Sequence, residues 1–88
     1  MQLVFHPHAE REIEKRQIPR QVLLEVLHNP EQKVPGYKKR WIYQRRYFNT
    51  IHSKELLLRV VVEERREVLL VLSVYKTSKI RRYWQREA

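Results

Sequence analysis

The chain has 88 residues, a net charge of +9 from 19 Lys and Arg against 10 acidic residues, and no cysteine. A chain of this length is expected to form one domain over residues 1–88 that buries roughly 60–65% of its extended surface, and its 42% hydrophobic content argues against disorder. Without cysteine, a disulfide framework and a thiolate metal site are excluded, which fits a cytoplasmic chain.

Gln2–Phe5 reads as a short strand. Pro7 then favours a helix start, because the first turn of a helix needs no N–H at that position. His8–Arg16 reads as a short helix with Ala9 and Ile13 on its buried side. His8, Arg11, Glu12 and Lys15 share another face at spacings of three and four. Pro19 is placed to open a second helix, Arg20–His28, whose Val22, Leu23, Val26 and Leu27 form one apolar stripe. Asn29-Pro30 ends it. Residues 31–40 are polar, with a turn signal at Pro35-Gly36. Trp41–Phe48, Glu55–Glu63 and Glu67–Tyr75 read as strands, separated by a loop at Asn49–Lys54 and a turn at Glu64–Arg66. Lys76–Trp84 is a polar, aromatic tail with room for a helical turn. The order β-α-α-β-β-β predicts an α+β domain in which two helices pack on one face of an antiparallel sheet. Exposed strand edges would permit a homodimer.

Alternation along a strand sorts side chains between faces. Leu56, Leu58, Val60 and Val62 are expected under the helices, with Leu57, Arg59, Val61 and Glu63 opposite. By the same rule, Val68, Leu70, Leu72 and Val74 face the core, and Leu69, Val71, Ser73 and Tyr75 face outward. The outer face should then be open and carry Arg59, Ser73 and Tyr75. For Trp41–Phe48 two assignments stay open: Arg45 and Tyr47 share one face, Arg46 and Phe48 the other.

Charge is unevenly spread. Residues 1–30 balance to zero, whereas residues 31–88 carry 15 Lys and Arg against 6 Glu. Aromatics are interleaved with that charge at Tyr37, Trp41, Tyr43, Tyr47, Phe48, Tyr75, Tyr83 and Trp84. A field of one sign concentrates polyanions, of which phosphodiester backbones are the commonest, and flat side chains stack on unpaired bases. Neither the amino-terminal apolar run Leu3–Phe5 nor Val68–Leu72 is long enough for a signal peptide or a membrane span, and no basic amphipathic helix suggests a membrane partner.

Metal-dependent cleavage is poorly supplied, since the chain has no Asp and its Glu residues lie mostly beside Arg or Lys. No metal and no cofactor are expected. Metal-free RNA cleavage is better supplied. Attack of a 2′-hydroxyl on its own phosphate needs a base, an acid for the leaving oxygen and cations for the charge that develops. Arginine suits the last role. His8 is the natural titrating group, and Tyr75 or Lys76 could replace it if a cationic surround lowered its pKa. Against this stand structural readings: His8 as a cap, Arg11 and Arg16 as partners of nearby Glu, Arg59 and Tyr75 as a simple cross-strand pair.

His8-Ala9-x-Arg11, Arg16, Ile18 and Asn29-Pro30 resemble the start of a small bacterial family of uncharacterised domains, written with a His-Ala-x-x-Arg opening. Leu57-Leu58-Arg59-Val60-Val61-Val62 and Val74-Tyr75-Lys76-Thr77-Ser78-Lys79-Ile80 resemble its later strands and tail. That family is linked to the RelE/BrnT group of toxin ribonucleases. The resemblance implies a RelE-like fold, metal-free cleavage of translated messages and neutralisation by an antitoxin protein. It directs interest to His8, Arg11, Arg16, Arg59 and Tyr75.

The reading that follows is a toxin-type endoribonuclease. Arg59 and Arg11 would hold the scissile phosphate, and His8 or Tyr75 would move the proton. Arg16, Arg45, Arg46, Lys76, Lys79, Arg81 and Arg82 would guide the backbone, with Trp84 or Tyr83 stacking a base. RNA, the ribosome and an acidic antitoxin are its expected partners. The alternatives are a non-catalytic RNA- or ribosome-binding module and a domain whose basic face meets an acidic protein.

Overall fold

Five strands and three helices make two layers, described by a computed structural model over residues 1–86. The elements in order are β1 (Gln2–Phe5), α1 (Pro7–Lys15), α2 (Arg20–His28), β2 (Gln32–Pro35), β3 (Trp41–Asn49), β4 (Lys54–Glu64), β5 (Val68–Thr77) and α3 (Ile80–Tyr83). The sheet order is β1-β5-β4-β3-β2.

Local chemistry sets the helix limits. His6 caps α1 by accepting the His8 N–H on Nδ1 at 3.0 Å, and Pro7 occupies the first turn. Gln17 closes the helix in a left-handed conformation (φ 52°). The Ile18 N–H then reaches the Ile13 carbonyl and the Gln17 N–H the Glu14 carbonyl, the paired bonds of a Schellman ending. α2 spans the expected residues and buries Leu23, Val26 and Leu27.

The core lies between these helices and one sheet face. It joins Ala9, Ile18, Leu23, Val26 and Leu27 to Tyr43, Leu58, Val60, Val62, Leu69, Val71 and Val74. Alternation in β4 therefore runs as expected, with Leu58, Val60 and Val62 under the helices. It also resolves β3: Arg45 pairs in register with Leu58 and lies on the helix side, whereas Gln44 and Arg46 pair with Arg59 and Leu57 on the outer face.

Three expectations are corrected. The sheet is mixed, because β1 runs parallel to β5. Residues 32–35, expected to be only polar, form the edge strand β2 against β3; four residues are too few to show a period. In β5, Val61 pairs with Ser73 but Val62 with Val71, so Leu72 is an extra residue in a bulge. The bulge reverses alternation behind it. Leu69 and Val71 therefore face the core, rather than Leu70 and Leu72.

β1 stops at Phe5, opposite Val71, and leaves the edge of β5 free beyond it. Glu12 of α1 covers that edge: its Oε1 accepts the Val74 N–H at 3.0 Å and the Ser73 hydroxyl at 2.8 Å. Ser73 is thus engaged by α1, not displayed beside Arg59. Among the described residues, no helix is long and apolar enough to cross a membrane.

Candidate nucleic-acid interface

The outer face of the sheet, expected to be open, is covered by the carboxy-terminal segment. α3 follows β5 directly, and the chain then runs across β4, β3 and β2. Two glutamines fasten it. Gln44, fully buried, donates from Nε2 to the Tyr83 carbonyl at 3.1 Å and to Gln32 Oε1 at 2.7 Å. Gln32 in turn donates to the Gln85 carbonyl at 2.6 Å and accepts the Gln85 N–H at 3.0 Å. Side-chain amides thereby satisfy backbone groups that a paired strand would otherwise serve.

Arg59 lies beneath this cover and is only 6% exposed. Its Nε donates to Gln44 Oε1 at 2.9 Å, and its Nη1 donates to the Tyr75 hydroxyl. The Tyr83 ring sits over the guanidinium, 4.3 Å from Cζ to the ring centre, and meets the Tyr75 ring edge-on at 6.5 Å. All these partners are neutral, and no carboxylate pairs with Arg59 among the described residues. A buried charge without a counter-ion costs several kcal/mol, about 2 kcal/mol of which a desolvated cation–π contact offsets. The geometry therefore leaves one uncompensated positive charge under a thin cover.

His8, Arg11 and Arg16 belong to a different place. His8 and Arg11 lie on α1 and Arg16 caps its carboxy-terminal end, where Glu12 Oε1 is 3.3 Å from His8 Nε2 and Glu12 Oε2 is 3.3 Å from Arg16 Nη2. Burial pushes the Glu12 carboxyl up, but the Val74 N–H, the Ser73 hydroxyl, His8 and Arg16 together hold it below the ordinary carboxylate value. His8, Arg11, Glu12, Lys15 and Arg16 line a cavity of about 260 Å³. His8 and Arg11 thus lie at the free edge of β5, and Arg59 and Tyr75 on the outer sheet face, with no hydrogen bond or ion pair joining the two pairs among the described residues. The opening motif departs in the same region: Arg11 stands one residue earlier than the arginine of His-Ala-x-x-Arg, and Glu12 occupies that position.

The remaining expected cations divide likewise. Arg45 is engaged on the helix side, donating to the Asn29 carbonyl at 3.1 Å and lying 3.8 Å from Glu25. Lys76 is in register with Leu58 and also leaves on the helix side. Arg46 is held by Glu31, with Nη2 to Oε2 at 2.9 Å, and its guanidinium stacks on Trp84 at 4.3 Å. That hydrogen bond is the main reason the Glu31 carboxyl lies below its ordinary value, against the effect of burial. Lys79, Arg81 and Arg82 are exposed around α3, with Arg82 5.6 Å from the Tyr83 ring centre.

The outer face therefore gathers Arg59, Tyr75, Arg46, Trp84, Lys79, Arg81 and Arg82. Sequence reading passed over Gln32 and Gln44, since glutamine carries no periodic or charge signal. The register of β3 against β4 is what places Gln44 beside Arg59. Among the described residues, no three His, Cys, Asp or Glu side chains converge in a metal-sized group. No protein-family model, curated protein or solved structure matches this chain.

Proposed function

We propose that this chain is a toxin-type endoribonuclease of RelE-like fold that cleaves single-stranded RNA without metal on its outer sheet face. The observation that carries the reading is Arg59, buried, without a carboxylate partner among the described residues and hydrogen-bonded to Tyr75. A cation held by neutral groups keeps its charge for an incoming anion. The surrounding Lys79, Arg81 and Arg82 would draw the phosphate chain to it.

In this reading Tyr75, rather than His8, handles the leaving group. Arg59 donates to the Tyr75 oxygen, which leaves the phenolic proton free to point elsewhere. The 2′-oxygen attacks phosphorus and the P–O5′ bond breaks. The 5′-oxygen takes the Tyr75 proton, water takes the proton from the 2′-hydroxyl, and that water reprotonates Tyr75. The products are a 2′,3′-cyclic phosphate and a 5′-hydroxyl. Arg59 stabilises the charge on the non-bridging oxygens. An acidic antitoxin would silence the protein by covering the same cations, and a cytoplasmic location follows from such a substrate.

One observation favours a second reading, a non-catalytic RNA- or ribosome-binding module. The Tyr83 ring covers Arg59, so cleavage requires residues 80–86 to shift, whereas binding to the exposed cations does not. End-mapping of a long single-stranded RNA in EDTA separates the two. Discrete new ends with the wild type, lost in Arg59→Met and Tyr75→Phe but kept in His8→Ala, are expected. Intact RNA, both free and on translating ribosomes, together with salt-dependent binding would establish the binding module instead.

A further inference from the structure

Next to Arg59, the covering segment forms a cavity of about 440 Å³ lined by Arg46, Ile80, Arg81, Trp84 and Arg86. That volume is in the range that holds small ligands, about 300–1,000 Å³. Its parts differ in character. Glu31 fixes Arg46 through three contacts: the Arg46 backbone N–H and Nε reach Oε1 at 2.7 and 3.3 Å, and Nη2 reaches Oε2 at 2.9 Å. The charge of Arg46 is thereby neutralised and its plane is set. With one face on the Trp84 ring and a side chain still 42% exposed, it offers a rigid flat platform. Ile80 adds an aliphatic wall. Arg81 and Arg86 make no ion pair among the described residues and are exposed.

A neutralised flat stack beside two unpaired guanidinium groups matches a nucleotide. The base lies on the platform, and the adjoining phosphate meets Arg81 and Arg86. An acidic peptide would use the two cations but leave the platform without a planar partner. A duplex would not release a base to reach it. The platform is one residue along the chain from the cover of Arg59: Tyr83 stacks on Arg59 and Trp84 on Arg46, both at 4.3 Å. We infer that Arg46, Ile80, Arg81, Trp84 and Arg86 form a subsite for one unpaired nucleotide of single-stranded RNA on the covering segment itself. This inference rests on the RNA reading above.

The test follows two signals in the full chain. Anisotropy of a labelled single-stranded RNA 12-mer reports binding at any site. Indole emission reports this subsite, with Trp84→Phe as the control that assigns the signal, since the chain has only Trp41 and Trp84. Saturable quenching by the 12-mer in the wild type, absent in Trp84→Phe, is expected. A base-free sugar-phosphate oligomer of equal length should bind about tenfold more weakly. Arg81→Gln with Arg86→Gln should reduce the log–log salt slope by about 1.4. Binding without quenching, or equal affinity for the base-free oligomer, would overturn the subsite and leave the RNA reading standing. Equal quenching by polyglutamate would replace the nucleotide with an acidic peptide. No RNA binding at all would overturn both readings.

Discussion

Two arginine-rich regions, one along the helix layer and the free edge of β5 and one on the outer sheet face, use their charge differently. On the helix side, Glu12 gathers His8, Arg16, the Ser73 hydroxyl and the Val74 N–H, and Glu25 and the Asn29 carbonyl hold Arg45. His8, Arg16 and Arg45 there are tied into the fold, whereas Arg11 makes no ion pair among the described residues. On the outer side, Arg59 has only neutral partners, and Arg81 and Arg82 make no ion pair among the described residues. Net charge alone does not separate these cases. What separates them is whether a carboxylate lies within reach, so the outer face is where an external anion gains most.

The comparison is tested most strongly by Arg59→Met. Loss of one such donor should lower RNA cleavage by about 10²- to 10³-fold, while the melting temperature stays within about 5 °C, since a buried unpaired charge is exchanged for apolar volume. A large drop in melting temperature would make Arg59 structural, like its counterparts on α1. Glu12→Ala is the mirror experiment. It strands the Ser73 hydroxyl and the Val74 N–H at a costed ~1–3 kcal/mol, so the melting temperature should fall by about 10 °C with RNA affinity nearly unchanged.

Acid titration sharpens the same contrast. The folded-state pKa of Glu12 is depressed, so the stability it contributes is present above the ordinary carboxylate value of about 4.3. That stability is lost as the pH falls through the lower folded value. Glu31 and Glu64 are depressed as well, chiefly by hydrogen bonds from Arg46 and Lys33, so Glu12→Gln should flatten the acid limb without abolishing it. An unchanged limb would remove Glu12 from the account. The smallest effect is expected from Gln17→Gly, which relieves a left-handed residue (φ 52°) at the end of α1. A gain of about 1 kcal/mol with no change in RNA binding would show that the two sides are energetically separate.

Much of the fold was legible because its signals are local. Pro7, Pro19 and Asn29-Pro30 mark the helix limits, and alternation in β4 places Leu58, Val60 and Val62 in the core. The failures have one physical origin, which is that pairing between distant segments cannot be read from a local period. The parallel contact of β1 with β5, the bulge at Leu72 and the strand at Gln32–Pro35 all depend on a partner elsewhere. The candidate site was legible in part. Arg59 and Tyr75 were brought together by strand parity, and the structure places them side by side. His8 was joined to them as the natural titrating group and Arg11 by a motif, and neither signal carries information about which layer its residue enters. The covering segment went unread because its fastening, Gln32 and Gln44 to the backbone of Tyr83 and Gln85, spans 39 to 53 residues of sequence.

That long span bears on when the site comes into being. During synthesis the helices and the sheet strands emerge before residues 80–86, and contacts so distant in sequence close late. Until then Gln44 and Arg59 lack their cover, and the Trp84 platform beside them does not exist. A nascent chain can thus acquire its hydrophobic core while its nucleotide subsite is still unmade.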